Sequence, residues 1–136
     1  HPVMFDKIGL IPNVEQLLER VQNQNNFFVS AELKYSGFLT SADELQIYRI
    51  IQEALTNIIK YAKAHAAKIS IIDDSSQLLI EIKDNGVGFN VKETLNSQKA
   101  FGLHNIIERS RIIGGIAHIG SNSEGTTVSI KIDKKS

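Results

Sequence analysis

Three side chains able to hold a hydrated cation and a phosphate recur at helical spacing in the middle of the chain. Glu53, Asn57 and Lys60 stand at i, i+4 and i+7 and so share a helical face. Magnesium takes one or two protein oxygens together with waters and phosphate oxygens, which Asn57 and Glu53 can supply. Lys60 can neutralise a phosphate as a point charge. The same triplet also fits a solvated helix face with a weak Glu–Lys pair.

A second constellation is Asp84-Asn85-Gly86-Val87-Gly88-Phe89. In the residues before it, Leu78, Ile80 and Ile82 alternate with Leu79, Glu81 and Lys83, as a half-buried strand requires. Asp84 continues the Ile80/Ile82 phase and is expected on the buried face. A buried carboxylate is costly unless something donates to it, and the exocyclic amine of a purine is one such donor. Gly86 and Gly88 let the backbone approach a flat ring or adopt positive φ. An Asp-Asn-Gly turn capping the strand fits the same residues.

Two weaker signals follow. Gly102-Leu103-His104-Asn105 places a glycine at a helix start, where free amides and the helix dipole favour phosphate; an ordinary loop-to-helix turn reads the same way. Gly125-Thr126-Thr127 opens a strand, and a hydroxyl there can share a water with Asp84; a plain hairpin turn is the competing reading. His1, His65, His104 and His118 show no metal-ligand spacing.

The elements that must position these residues are legible from periodicity. Pro12 suits a first helical turn, and Val14, Leu17, Leu18 and Val21 form the stripe of a helix ended by Asn23–Asn26. Phe27–Leu33 reads as a strand. Ser41-Ala42-Asp43-Glu44 reads as a capping box opening a helix with Ile47, Ile51, Leu55, Ile58 and Ala62 on one face, ending near Ala64. Strands are predicted at Lys68–Ile72 and Leu78–Asp84 around a polar hairpin loop. A polar loop then runs from Asn90 to Lys99. Leu103, Ile106, Ile107 and Ile112 mark a helix stopped by Gly114-Gly115, and strands follow at Ile116–Gly120 and Thr127–Ile132. The fold class is therefore α+β: a two-layer sandwich of a mixed, mostly antiparallel sheet with about three helices on one face and a lid loop.

Composition narrows the partners. The 136 residues carry fifteen Lys+Arg, fifteen Asp+Glu and no cysteine. Disulfides, thiolate metal sites and cysteine nucleophiles are excluded. Zero net charge provides no long-range field for nucleic acid or an anionic membrane. No run approaches ~18 consecutive apolar residues, so no membrane contact is expected of this domain. An anionic ligand must be held by local groups.

Taken in order, the four signals resemble the ATP-binding catalytic domain of bacterial sensor histidine kinases, within the GHKL ATPase superfamily with its Bergerat fold. Glu53-Ala-Leu-Thr-Asn57-Ile-Ile-Lys60 is similar to that family's asparagine box and Asp84–Phe89 to its first glycine box. Gly102–Arg109 is similar to its second glycine box and Gly125-Thr126 to its glycine-threonine motif. His1-Pro2 with Leu10-Ile11-Pro12 resembles the junction after the phosphoacceptor helices in the nitrate-sensor-like branch. Residues 1–12 are thus expected to be that junction and 13–136 the ATPase domain, with an ATP lid at 90–101.

The resemblance implies roles. Glu53 would be the base-like residue near the γ-phosphate, Asn57 the Mg²⁺ ligand, and Lys60 a phosphate contact. Tyr61 stands where many relatives carry His. Asp84 would accept from adenine N6, with Gly86, Gly88 and Phe89 beside the ring and Thr126, after Gly125, sharing a water with Asp84. Gly102, Leu103 and His104 would hinge the lid and meet phosphate. The implied ligands are ATP and Mg²⁺. The implied partners are the phosphoacceptor dimerisation helices of the same kinase and a response regulator, and the implied location is cytoplasmic. The chain is expected to bind Mg·ATP without autophosphorylating. A serine kinase of the anti-sigma-factor type and a non-catalytic nucleotide-binding module are the other readings the same residues allow.

Overall fold

A computed structural model describes residues 5, 7–98, 100 and 102–134. The expected junction at 1–12 lies partly outside them. The described elements are α1 (Leu10–Asn25), β1 (Phe28–Lys34), α2 (Ser41–Asn57) continued by a π-helical turn (Ile58–Ala62), β2 (Ala66–Asp73) and β3 (Gln77–Asp84). Then come α3 (Val91–Leu95), α4 (Leu103–Ile112), β4 (Gly115–Asn122) and β5 (Gly125–Asp133).

The strands form one sheet in the order β1-β2-β3-β5-β4. β1 runs parallel to β2, and the other neighbouring pairs are antiparallel. Register carries the hydrophobic pattern across the sheet. Ile69 faces Ile82 and Ile82 faces Val128, while Ile71, Ile80 and Ile130 form the next row. All six are buried. The opposite phase is half-buried to exposed, with the Lys68–Lys83 pair exposed. One face of the sheet therefore requires a helical cover. Val14, Leu17 and Leu18 of α1, Ile47, Ile50, Ile51 and Leu55 of α2, and Leu103 and Ile106 of α4 supply it, joining the strands in one core.

Four expectations need correction. The N-cap of α2 is Thr40, whose Oγ1 accepts from the Asp43 amide at 3.2 Å; Ser41 is already helical. Glu44 does not reach back, because its carboxylate accepts the Tyr35 hydroxyl at 2.7 Å. That hydroxyl is pushed well above its ordinary pKa by burial, and Glu44 adds to the effect. In α4, Ile112 is exposed, since nine residues from Leu103 turn it about 180° away; Ser110 takes the inward position, its hydroxyl donating to the Ile106 carbonyl, and Ile113 is buried beyond the helix. The polar segment expected as a loop also contains a helix, α3, whose cap is Asn90 accepting from the Glu93 amide at 2.9 Å. Lys92, Glu93 and Leu95 are good helix formers, which the overall polarity of the segment concealed.

Candidate functional site

The alternation of β3 carries through to its last residue. Leu78, Ile80, Ile82 and Asp84 are all buried, with Asp84 only 8% exposed. A lone carboxylate there needs donors. The Gly86 amide donates to Oδ1 at 2.7 Å, and the Thr126 amide donates as well. Burial nonetheless dominates and raises the Asp84 pKa above its ordinary value. A carboxylate has about four acceptor positions, so capacity is left over, and it faces a cavity.

That cavity has a volume of about 210 Å³ and lies between the end of α2, the π turn, β3, β5 and α4. Ala54, Ile58, Ala62, Ile82, Leu103, Ile106 and Val128 make its aliphatic walls. Asn57, Tyr61, Asp84 and Thr126 supply the polar groups, and Gly88 and Phe89 close one side. A mostly apolar slot with a few convergent polar atoms suits a flat, edge-polar ring.

The glycines are explained by close approach. A Cβ on Gly86 would collide with the Ala62 carbonyl oxygen, which also accepts the Val87 amide at 2.9 Å. The tight neighbour of Gly86 is therefore the π turn. The extra residue per turn there brings the end of α2 down onto the loop after β3, and π turns recur at functional sites. Gly88 has φ 75°, and a Cβ there would strike the Asn122 carbonyl. Gly88→Ala should cost about 3 kcal/mol in a denaturant titration, from left-handed strain and this collision together; a loss below ~0.5 kcal/mol would show that neither matters. Gly125, at φ 140°, lies where a Cβ would collide with the Asp84 carbonyl. It lets β5 close on the end of β3 and present the Thr126 amide to Asp84.

A further close approach joins α2 to the start of α4. Gly102 caps α4 in the left-handed region at φ 74°, and a Cβ on it would run into the Glu53 carboxylate. Glu53 thus sits over the start of α4. His104 Nε2 lies 2.8 Å from the Leu95 carbonyl and ties α4 to α3.

Lys60 goes elsewhere. It lines a separate groove between α1 and α2, with Leu17, Arg20, Val21 and Ile59. Helical geometry explains the divergence: at ~100° per residue Asn57 lies about 40° to one side of Glu53, and Lys60, within the π turn, falls to the other. The cavity is on the Asn57 side, so the i+7 spacing overstated what the three share. Two contributors were missed. Asn85 Oδ1 accepts from the His65 and Ala66 amides at 2.9 and 3.1 Å, pinning β2 beside Asp84. Ser121 Oγ accepts the Phe89 amide at 2.9 Å and lies 2.7 Å from Thr126 Oγ1. Neither has a sequence signal, because both act through strand register.

Asn57 fits a hard cation. It ends α2 on the cavity wall, and its carboxamide makes no hydrogen bond to any described residue. Among the described residues no cluster of three His, Asp or Glu could hold a metal. One protein oxygen completed by phosphate oxygens and waters is how magnesium sits on a nucleotide.

Residues 42–136 match the family of histidine kinase-, DNA gyrase B- and HSP90-like ATPases, more than half of the chain. The chain belongs to this family. The sensor histidine kinase LiaS of Bacillus subtilis (strain 168) is 27% identical over 132 residues, which cover 96% of this chain and 36% of LiaS. The signal transduction histidine-protein kinase/phosphatase DegS of Brevibacillus brevis is 31% identical, over 94% of this chain and 33% of DegS. The chain therefore spans about a third of the length of these relatives. Among solved structures, the Acinetobacter baumannii histidine kinase AdeS superposes with a TM-score of 0.76 at 20% identity, over 93% of this chain and 64% of that one. The blue-light activated histidine kinase of Erythrobacter litoralis superposes with a TM-score of 0.76 at 16% identity, over 90% of this chain and 41% of that one. Identities this low establish the fold. As a member of this ATPase family, the chain is an ATP-binding domain built as an α+β sandwich. Among its described residues no helix is long and apolar enough to cross a membrane.

Proposed function

We propose that the chain is the ATP-binding catalytic domain of a two-component sensor histidine kinase and that the cavity beside Asp84 receives the adenine of Mg·ATP. The observation that carries this reading is the Asp84 carboxylate, buried at the end of β3, held by two amides, with acceptor capacity left toward an apolar slot. An exocyclic amine supplies the missing donor, and Ile58, Ile82 and Val128 sandwich the ring. The triphosphate then lies toward Asn57 and the first turn of α4, whose amides and dipole favour phosphate. With Lys60 in the other groove, phosphate charge falls to those amides and to the cation.

Mg²⁺ bound to the nucleotide would neutralise charge building on the transferred phosphoryl group. Asn57 would hold it through the carboxamide oxygen, and Glu53 would orient or deprotonate the acceptor imidazole. The segment 90–101 would act as the lid, α3 moving with α4 through the His104–Leu95 contact. The acceptor would be a histidine on dimerisation helices of the same kinase, and the phosphoryl group would pass to a response regulator in the cytoplasm.

Calorimetric titration with Mg·ATP, Mg·ADP and Mg·GTP tests the reading. Both adenine nucleotides should bind, and GTP, which presents a carbonyl to Asp84, at least about tenfold more weakly. Equal binding of GTP would overturn it.

A further inference from the structure

Ser121 and Thr126 are cross-strand partners beside the turn of the β4–β5 hairpin. Their hydroxyl oxygens lie 2.7 Å apart, and the Ser121 oxygen also accepts the Phe89 amide at 2.9 Å. Each hydroxyl has one proton to give. Among the described residues, the only acceptor within reach of the Ser121 proton is Thr126 Oγ1. Either oxygen can be the donor in this pair, but if Thr126 donates, its proton is spent inside the protein and the Ser121 proton has no acceptor among the described residues. With an acceptor supplied by a ligand in the cavity, both hydroxyl protons are satisfied only when the chain of donors runs from the Phe89 amide to Ser121 and from Ser121 to Thr126. In that direction the Thr126 proton has no protein acceptor among the described residues, and Thr126 lines the cavity.

We propose that Ser121 is a positioning and specificity-determining residue: by donating to Thr126 it makes the Thr126 hydroxyl a donor into the cavity. The proposal rests on the nucleotide reading of that cavity. Asp84 then presents an acceptor and Thr126 a donor side by side. That pair matches an amine next to an unprotonated ring nitrogen, directly or through one water, and mismatches a carbonyl next to a ring N–H. Without Ser121, the Thr126 hydroxyl is free to rotate and accept, and the donor half of the pattern is lost. The same hydroxyl holds Phe89, two residues before α3, so the base-reading wall and the root of the lid share one anchor.

The test is equilibrium titration of wild type, Ser121→Ala and Ser121→Thr with Mg·ATP and Mg·1-deaza-ATP, whose ring has C–H in place of N1. Wild type should prefer ATP roughly tenfold, the worth of one such hydrogen bond. Ser121→Ala should bind ATP about tenfold more weakly and bind the two ligands alike, while Ser121→Thr, which keeps the hydroxyl, restores the preference. A merely structural role would weaken both ligands equally and keep their ratio. That result, or an unchanged Ser121→Ala, overturns the proposal. Failure of wild type to bind either nucleotide would instead overturn the reading on which it rests.

Discussion

Asp84→Asn should weaken Mg·ATP binding roughly 30- to 5,000-fold, the equivalent of about 2–5 kcal/mol for losing one partner of a buried charge-assisted hydrogen bond. The asparagine oxygen can still accept from the Gly86 or Thr126 amide that now holds the carboxylate. Its NH₂ group then faces the exocyclic amine, donor against donor, inside a mostly apolar slot. Calorimetry on the purified domain reads the loss directly, and unchanged affinity would remove the adenine assignment.

The same substitution should have the opposite sign for the ligand-free fold. Burial raises the Asp84 pKa above the ordinary 3.8. A raised carboxylate pKa means that the folded state favours the protonated form. The contribution of Asp84 to stability is therefore fully present below pH 3.8 and is lost as pH rises through the folded value. At pH 7 the ionised group is a burden that asparagine does not carry. Ligand-free Asp84→Asn should accordingly unfold at or above the wild-type temperature at pH 7, with the difference closing toward pH 4. A clear drop at pH 7 would mean that the two amides outweigh burial. An affinity loss combined with unchanged or higher stability is what a residue kept for binding produces.

Why Asp84 was readable and Lys60 was not is a matter of which geometry each depends on. Asp84 depends on strand alternation, which has period two and no room for drift, so its burial follows from Leu78, Ile80 and Ile82. Lys60 depends on a helical wheel on which i+4 and i+7 fall to opposite sides of i, and on a neighbour, α1, that no local pattern announces. The α2 cap slipped by one because Thr40 and Ser41 are both capping residues, and the strand-like ψ of Thr40 decides between them only once the chain is folded. Gly86 was readable as a glycine that something approaches closely. That the approaching group is the Ala62 carbonyl follows from the π turn, which has no sequence signature of its own. Ser121 lay beyond reach for a related reason. Its partners are 32 residues upstream and 5 downstream; the β4–β5 register brings Thr126 to it, and the loop after β3 brings Phe89.

Asn57→Ala should separate the cation from the base. The carboxamide has no hydrogen bond to any described residue, so the substitution orphans nothing in the protein. Alanine is also the better helix former at the end of α2, so the fold is not at risk. In the presence of chelator, ATP and adenosine should bind the variant as they bind wild type, because neither uses the Asn57 oxygen without a cation. With Mg²⁺ present, wild type should gain affinity for ATP and the variant should gain little. The plot of ATP affinity against Mg²⁺ concentration should therefore flatten, while Asp84 continues to hold the base. In the intact kinase, phosphoryl transfer should fall about 100-fold, close to 2.7 kcal/mol in the barrier, because a misplaced cation no longer meets the developing charge. Equal loss of adenosine and Mg·ATP binding would show that Asn57 shapes the cavity wall and does not hold the metal.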